Sequence, residues 1–241
     1  MPDSSLDNLI TCQPVNPTVS IIICTKNEAD GIKSIIDSVR PYVAEIIVVD
    51  GHSTDDTAKI AESAGAKVYQ DNGRGKGDAY KVGIPKATCD IIVLIDADGS
   101  HDPAEIPALI EPIKAGKADL VIGSRHRGGS DEWGGDLETW LRAMGSGFLS
   151  VVINGRWGSN LTDVLNGFRA MSRESAQKVR LKADDFDIEQ HMIVQWLKYG
   201  YRVTETRSHE YCRKWGKSKL PTYKKAYLFF WRLFLDLVTG K

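Results

Sequence analysis

The sequence has almost no net charge, no paired cysteines, no metal-like histidine spacing and no C-terminal apolar run long enough to cross a bilayer, and each absence removes a class of function. Lysine and arginine number 31 against 32 acids, a formal net charge of -1. Nothing overall therefore favours nucleic acid, which asks for a strongly basic domain or stripe. The four cysteines, at 12, 24, 89 and 212, show no CxxC or CxxxC spacing and read as reduced, structural thiols, which suits the cytoplasm. Histidines 52, 101, 126, 191 and 209 form no i,i+4 pair and have no cysteine neighbour, which argues against zinc. No GxSxG elbow and no GxxxxGK[ST] loop occurs, so the signatures of α/β-hydrolases and P-loop NTPases are missing. The apolar stretch from Ala226 to Val238 covers thirteen positions, short of the ~20 that a spanning helix needs. Residues 1–17 carry acids and prolines instead of the basic start and apolar centre of a secretory leader, and they read as an N-terminal extension.

What is present is the pattern of one α/β domain. The chain has 241 residues, 42% of them hydrophobic, enough for one sizeable core. Residues 19–24, 45–50 and 90–96 are short, continuous, β-branched runs that read as buried parallel strands. Helical segments are predicted at 28–42, 54–64 and 76–87, further strands at 66–69 and 119–123, and a helix from about Pro103. Strand-helix alternation implies right-handed βαβ units and a mostly parallel sheet with helices on both faces. Ligands of such sheets bind beyond the carboxyl ends of the strands. The clusters Thr25-Lys26-Asn27-Glu28, Asp50-Gly51-His52-Ser53 and Asp96-Ala97-Asp98-Gly99 all follow strand ends, so they are predicted to share one rim. Glycines concentrated between Gly123 and Gly158 suggest an extended or mobile region over the site. A helix near 187–199, a strand near 202–205 and a basic loop at 213–219 follow.

Asp96 and Asp98 flank a small residue at the end of the most apolar strand. Two carboxylates at that spacing can share a hard divalent cation, Mg²⁺ or Mn²⁺, with phosphate and water completing the shell. A solvated Asp-Gly turn is the competing explanation. Lys76 lies between glycines in GRGKG, where an ammonium can approach a phosphate, although an exposed surface lysine has the same pattern. Arg142 and Ser146 share a helical face at i,i+4 and could hold one anion.

The segments SIIICTKNEADGI, EIIVVDGHSTDDT, GRGKGDA, DIIVLIDADGSHDP and GSRHRGG resemble family 2 glycosyltransferases with the Rossmann-like GT-A fold. LNGFRAMSRE, GYRV and RKWGKSKL resemble the polyprenyl-phosphate (dolichol-phosphate mannose or glucose synthase-like) branch in the same order. The likeness covers residues 18–220. It implies that Thr25, Asn27 and Glu28 line a nucleotide pocket, that Asp50 binds base or ribose, and that Asp96, Ala97 and Asp98 form the diphosphate and metal site. Lys76 would join the donor site, Arg125 would meet an acceptor phosphate with Arg142 and Ser146, and Arg213 and Lys219 would close over the donor diphosphate. Asp187 and Glu189 match an acidic motif near the acceptor, with ordinary helix N-terminal acids as the alternative. Where the family commonly has Asp-Asp-Gly-Ser, this chain has Asp50-Gly51-His52-Ser53, which leaves guanine and uracil both open as the donor base.

The resulting expectation is a metal-dependent, inverting transfer of a hexose from a GDP- or UDP-sugar to a polyprenyl phosphate. A family member acting on a saccharide or glycolipid hydroxyl, with Asp187 or Glu189 as base, is one alternative. A non-catalytic nucleotide-sugar-binding module at a membrane is another. Residues 221–241 are predicted to form an amphipathic helix with Lys225, Arg232, Asp236 and Thr239 on one side, lying on a membrane or docked on the protein or a second subunit. The expected setting is peripheral, on the cytoplasmic face of a membrane, with a homodimer left open.

Overall fold

A computed structural model describes residues 18–132, 137–216 and 222–239, and gives only the backbone of 137–143 and 222–225. In chain order the elements are β1 (Val19–Thr25), α1 (Ile32–Val39), β2 (Glu45–Asp50), α2 (Thr57–Ser63), β3 (Lys67–Gln70), α3 (Lys76–Gly83), β4 (Ile91–Asp96), α4 (Ile106–Lys114), β5 (Leu120–Ser124), α5 (Arg125–Gly128) and α6 (Leu137–Trp157). They continue with β6 (Arg169–Ser172), α7 (Arg173–Lys178), α8 (Ile188–Lys198), β7 (Val203–Arg207) and α9 (Thr222–Val238).

The seven strands form one sheet in the order β3-β2-β1-β4-β6-β5-β7. All run parallel except β6, which is antiparallel to both β4 and β5. The α/β architecture and mostly parallel sheet agree with the sequence. Side chains alternate across the sheet as the pleat requires. Ile21 and Ile23 of β1 join Ile35 and Ile36 of α1 and Leu109 of α4 on one face. Ile22 points the other way, to Tyr80 of α3 and Met192 and Trp196 of α8. Each fully buried isoleucine of this kind contributes about 2 kcal/mol by removal of apolar surface from water.

The predicted helices are longer than the observed ones for a local reason. After Val39 and after Gly83 the chain tightens into 3-10 turns containing Pro41 and Pro85. A proline has no N–H to continue the α-helical ladder. The expectation of an extended or mobile region between Gly123 and Gly158 is corrected: most of it is the 21-residue α6. Gly145, Gly147 and Gly155 meet nothing within 4 Å at their β-carbon positions, so these glycines lie inside a helix without marking a turn. The antiparallel β6 was not anticipated. It starts at Arg169, fully buried, whose guanidinium donates to the carbonyls of Asn166, Val164 and Glu189. A charged residue met by three backbone acceptors can sit inside the fold.

Candidate active site

The sheet order sets β2, β1 and β4 side by side, with Thr25 opposite Asp50 and Cys24 opposite Asp96 in the register. Three of the sequence's polar clusters therefore reach one rim, above a cavity of about 360 Å³. Thr25, Glu28, Lys76, Asp96, Ala97, Asp98 and Arg213 are on its wall. The buried Thr25 hydroxyl has no hydrogen-bond partner, a polar atom held where a ligand could satisfy it. Ala97 is buried in the core below the rim.

The aspartates are each met by a cation. Lys76 Nζ lies 2.9 Å from both Asp96 carboxylate oxygens and 2.8 Å from Glu189 Oε1. Burial works against the Lys76 ammonium, but the charges of Asp96 and Glu189 more than offset it and raise its pKa. The same ion pair outweighs burial at Asp96 and lowers its carboxyl. At Glu189 burial wins, and the Lys76 ammonium only partly offsets the upward shift. Asp98 Oδ2 is 2.9 Å from Arg213 Nη1, while Asp98 Oδ1 accepts the Ser100 N–H at 3.0 Å. Arg213 also reaches Glu132 at 3.3 Å. Cys24 is on the wall too, but burial pushes its thiol up, which keeps it protonated and poorly nucleophilic.

The loop that supplies Arg213 is fastened to the Asp-Ala-Asp turn. Lys214 N and Trp215 N donate to Asp98 O at 3.0 and 3.3 Å. The Trp215 ring lies over Gly31 and Gly99, where added β-carbons would come within 2.6 and 2.7 Å of it. Gly99 also has φ +75, a left-handed conformation that favours glycine, so its residue type is required twice over.

Other expected site residues are engaged elsewhere. Asn27 has φ 53, and its side-chain oxygen accepts Thr54 N at 2.8 Å. It fastens the loop after β1 to the loop after β2, and it is not on the cavity wall. Asp50 accepts the Ser53 N–H at 3.0 Å and its hydroxyl at 2.5 Å, which closes the turn after β2. Arg125 Nε and Nη2 lie 2.7 and 2.9 Å from the Asp163 carboxylate, and Nη1 is 3.3 Å from Glu210. Ser146 is buried on α6 with an unpartnered hydroxyl. One turn on, Ser150 Oγ reaches Thr162 O at 3.4 Å, beside the Asp163 that holds Arg125. Asp187 binds Arg232 of α9 at 2.7 Å and is not on the cavity wall. The Arg142 side chain and Lys219 lie outside the described residues.

Asp71, Arg74, Asp185 and Phe186 line the cavity without having been singled out in the sequence. Asp71 directly follows β3, so the rule that locates ligands beyond strand ends would have found it. Asp185 and Phe186 precede a helix from the second half, and no local pattern connects them to the rim.

Two carboxylates and an orphaned hydroxyl suit a hard divalent ion that draws its remaining ligands from phosphate and water. Among the described residues no three His, Cys, Asp or Glu side chains gather as a closed metal cage.

α9 docks by its charged side. Asp236 is 2% exposed and 2.8 Å from His191 Nδ1 of α8. Gln190 Nε2 donates to Phe229 O at 2.6 Å. Tyr227, Phe230, Trp231, Phe234 and Val238 remain exposed, at 65, 47, 57, 52 and 61%. Met144, Phe148 and Val151 of α6 are exposed as well, and the Phe148 and Phe230 rings are 5.9 Å apart. One apolar face thus spans two helices. Among the described residues no helix is long and apolar enough to cross a membrane.

A profile described as Glycosyl transferase family 2 matches residues 20–180. Glycosyltransferase AglJ of Haloferax volcanii is 32% identical over 205 residues, 84% of this chain and 66% of that protein, so the chain spans slightly under two thirds of AglJ. Undecaprenyl-phosphate mannosyltransferase of Micrococcus luteus is 31% identical over 218 residues, 84% of this chain and 87% of that one. Glucosyl-3-phosphoglycerate synthase of Mycobacterium tuberculosis, crystallised with Mn²⁺, UDP and phosphoglyceric acid, superposes with a TM-score of 0.74 at 23% identity, covering 94% of this chain and 80% of that one. That last likeness speaks to the fold alone.

Proposed function

Because the chain belongs to glycosyl transferase family 2, we propose that it moves a hexose from a GDP- or UDP-sugar to a polyprenyl phosphate, with inversion at the anomeric carbon. The observation that carries this reading is the pairing of Asp96 and Asp98 on the wall of one cavity with Lys76 and Arg213 beside them. A nucleoside diphosphate laid there would meet Arg213, whose guanidinium can hold phosphate oxygens in bidentate fashion. Asp96 and Asp98 would hold Mg²⁺ or Mn²⁺, which when bound neutralises charge on the departing diphosphate. The acceptor oxygen attacks the anomeric carbon from the side opposite the diphosphate, whose bond to that carbon breaks.

The acceptor class follows from the need for a base. Glu189 is engaged by Lys76 and Asp187 by Arg232, so a hydroxyl acceptor would have to break an ion pair to use either one as its base. A phosphate acceptor is already ionised and needs little such help. The relative from M. luteus, named for undecaprenyl phosphate, supports the same choice. So does the apolar face on α6 and α9, which suits an enzyme resting on the cytoplasmic surface of a membrane. A second reading, transfer to a saccharide or glycolipid hydroxyl, is favoured by Asp185, a carboxylate on the cavity wall.

Release of nucleoside diphosphate from GDP- and UDP-hexoses, with Mn²⁺ or Mg²⁺ and with or without a short polyprenyl phosphate, tests the proposal. Turnover that requires the lipid phosphate is expected. Donor binding with turnover only on added saccharide would select the second reading, and no binding of any donor would overturn both.

A further inference from the structure

The two cations on the aspartate pair are held differently. Lys76 is nearly buried, 12% exposed, and is gripped from a second side by Glu189. Arg213 is 35% exposed on a loop, and its other partner, Glu132, is 31% exposed and 3.3 Å away. The loop backbone does not depend on the guanidinium. Lys214 N and Trp215 N bind Asp98 O, and the Trp215 ring is seated over Gly31 and Gly99. The Arg213 side chain can therefore leave Asp98 while the loop stays in place, and it already stands on the cavity wall.

We infer that Arg213 is a built-in competitor for the metal site: it neutralises Asp98 until a nucleoside diphosphate draws it onto phosphate oxygens, so that nucleotide and metal bind as a linked pair. The inference rests on the proposed nucleotide-diphosphate reading of this cavity. Asp98 Oδ1 is taken by Ser100 N and Oδ2 by Arg213, so an incoming ion must displace the guanidinium to reach a full carboxylate. A lone divalent ion would meet that displacement without compensation. With a diphosphate present, the guanidinium exchanges one anion for another, in the bidentate geometry that arginine favours. Such coupling is reciprocal: each ligand tightens the other by the same factor, ordinarily about 5- to 150-fold.

The test is binding of Mn²⁺ to the whole chain, followed by the electron paramagnetic resonance signal of free Mn²⁺, alone and with UDP or GDP. In the wild-type protein the nucleotide is expected to tighten Mn²⁺ binding about tenfold or more. Arg213→Gln should bind Mn²⁺ alone several-fold more tightly than wild type, while the nucleotide's enhancement shrinks toward unity. Arg213→Lys keeps a competing charge without the bidentate fork, so it should bind Mn²⁺ alone like wild type yet lose most of the enhancement. Wild-type binding of Mn²⁺ with nucleotide, combined with unchanged or weaker binding of Mn²⁺ alone in Arg213→Gln, overturns the competition and leaves the functional reading intact. Absence of Mn²⁺ binding in wild type with either nucleotide overturns both. A circular dichroism spectrum superimposable on wild type accompanies each variant.

Discussion

Gly167 lies directly against the Lys76 ammonium: a β-carbon at Gly167 would stand 2.7 Å from Lys76 Nζ and 3.0 Å from Asp96 Oδ2. The segment before β6 thus approaches the charge junction so closely that any side chain there would oblige the end of Lys76 to shift. Gly167→Ala is expected to push the flexible end of Lys76 off Asp96, lowering kcat for donor turnover at least tenfold while costing less than about 1 kcal/mol of stability, since a side-chain end can move where a packed core cannot. Steady-state kinetics beside thermal unfolding checks both. Full activity in the alanine variant would mean that the Lys76–Asp96 contact is dispensable.

Asp163 is fully buried and holds Arg125 at 2.7 Å. Burial opposes its ionisation, but the Arg125 charge outweighs burial and lowers its carboxyl. Removing one member of a buried pair strands the other charge, at a cost of about 3–5 kcal/mol. Asp163→Asn should therefore lose stability on that order in urea unfolding, whereas Glu132→Gln, at the surface, should change it by less than about 1 kcal/mol.

Much of this was legible in the sequence because parallel strands buried on both faces read as continuous apolar runs. Residues 19–24, 45–50 and 90–96 gave β1, β2 and β4, and with them the rim that carries Thr25 and the Asp-Ala-Asp turn. What escaped depended on contacts between distant segments. Arg169 starts a strand that looks charged until three carbonyls from other parts of the chain are in place. Asn27 and Asp50 follow strand ends as expected, but that their side chains also brace the loops there, through Thr54 and Ser53, is a contact between segments that no local pattern shows. Lys76 lies in a glycine-rich segment suited to phosphate, and only the fold brings it to Asp96 and Glu189. The helical wheel of the tail set Arg232 and Asp236 on one side, and that side docks, but periodicity does not say which side faces the protein.

Glu45 predicts an acid limit to stability. It accepts Ser20 Oγ at 2.5 Å and Thr88 N at 2.9 Å and pairs with Lys67 at 2.7 Å. Burial pushes its carboxyl up, but the bonds from Lys67, Ser20 and Thr88 prevail and hold the pKa at about 2, against 4.5 ordinarily. A depressed folded-state pKa stabilises the fold above the unfolded value. That contribution is lost as pH falls from about 4.5 to about 2, and it is on the order of 2 kcal/mol. Glu45→Gln should flatten the stability profile in that window when unfolding is followed by urea titration at stepped pH. A slope equal to wild type would assign the acid sensitivity to other carboxylates.

The inward-turned charges of α9 separate two roles that sequence alone merged. Asp236 and Arg232 fasten the helix to α8, through His191 and Asp187, while Trp231 and Phe234 stack on each other at the exposed surface and Phe230 lies beside the Phe148 ring of α6. Substitutions on the two sides should therefore fail in different ways. Asp236→Ala leaves the buried His191 ring without its carboxylate partner, and the expected loss is about 1–3 kcal/mol of stability. Replacing Trp231 and Phe234 together by serine removes exposed apolar surface only, so the melting temperature should hold. Binding to sedimented vesicles of phosphatidylcholine and phosphatidylglycerol should meanwhile fall about tenfold or more, since interfacial binding scales with buried apolar area. If vesicle binding survives the double substitution, the two-helix face is not the membrane contact. If the melting temperature drops instead and depends on protein concentration, the same aromatics are covering a second copy of the chain.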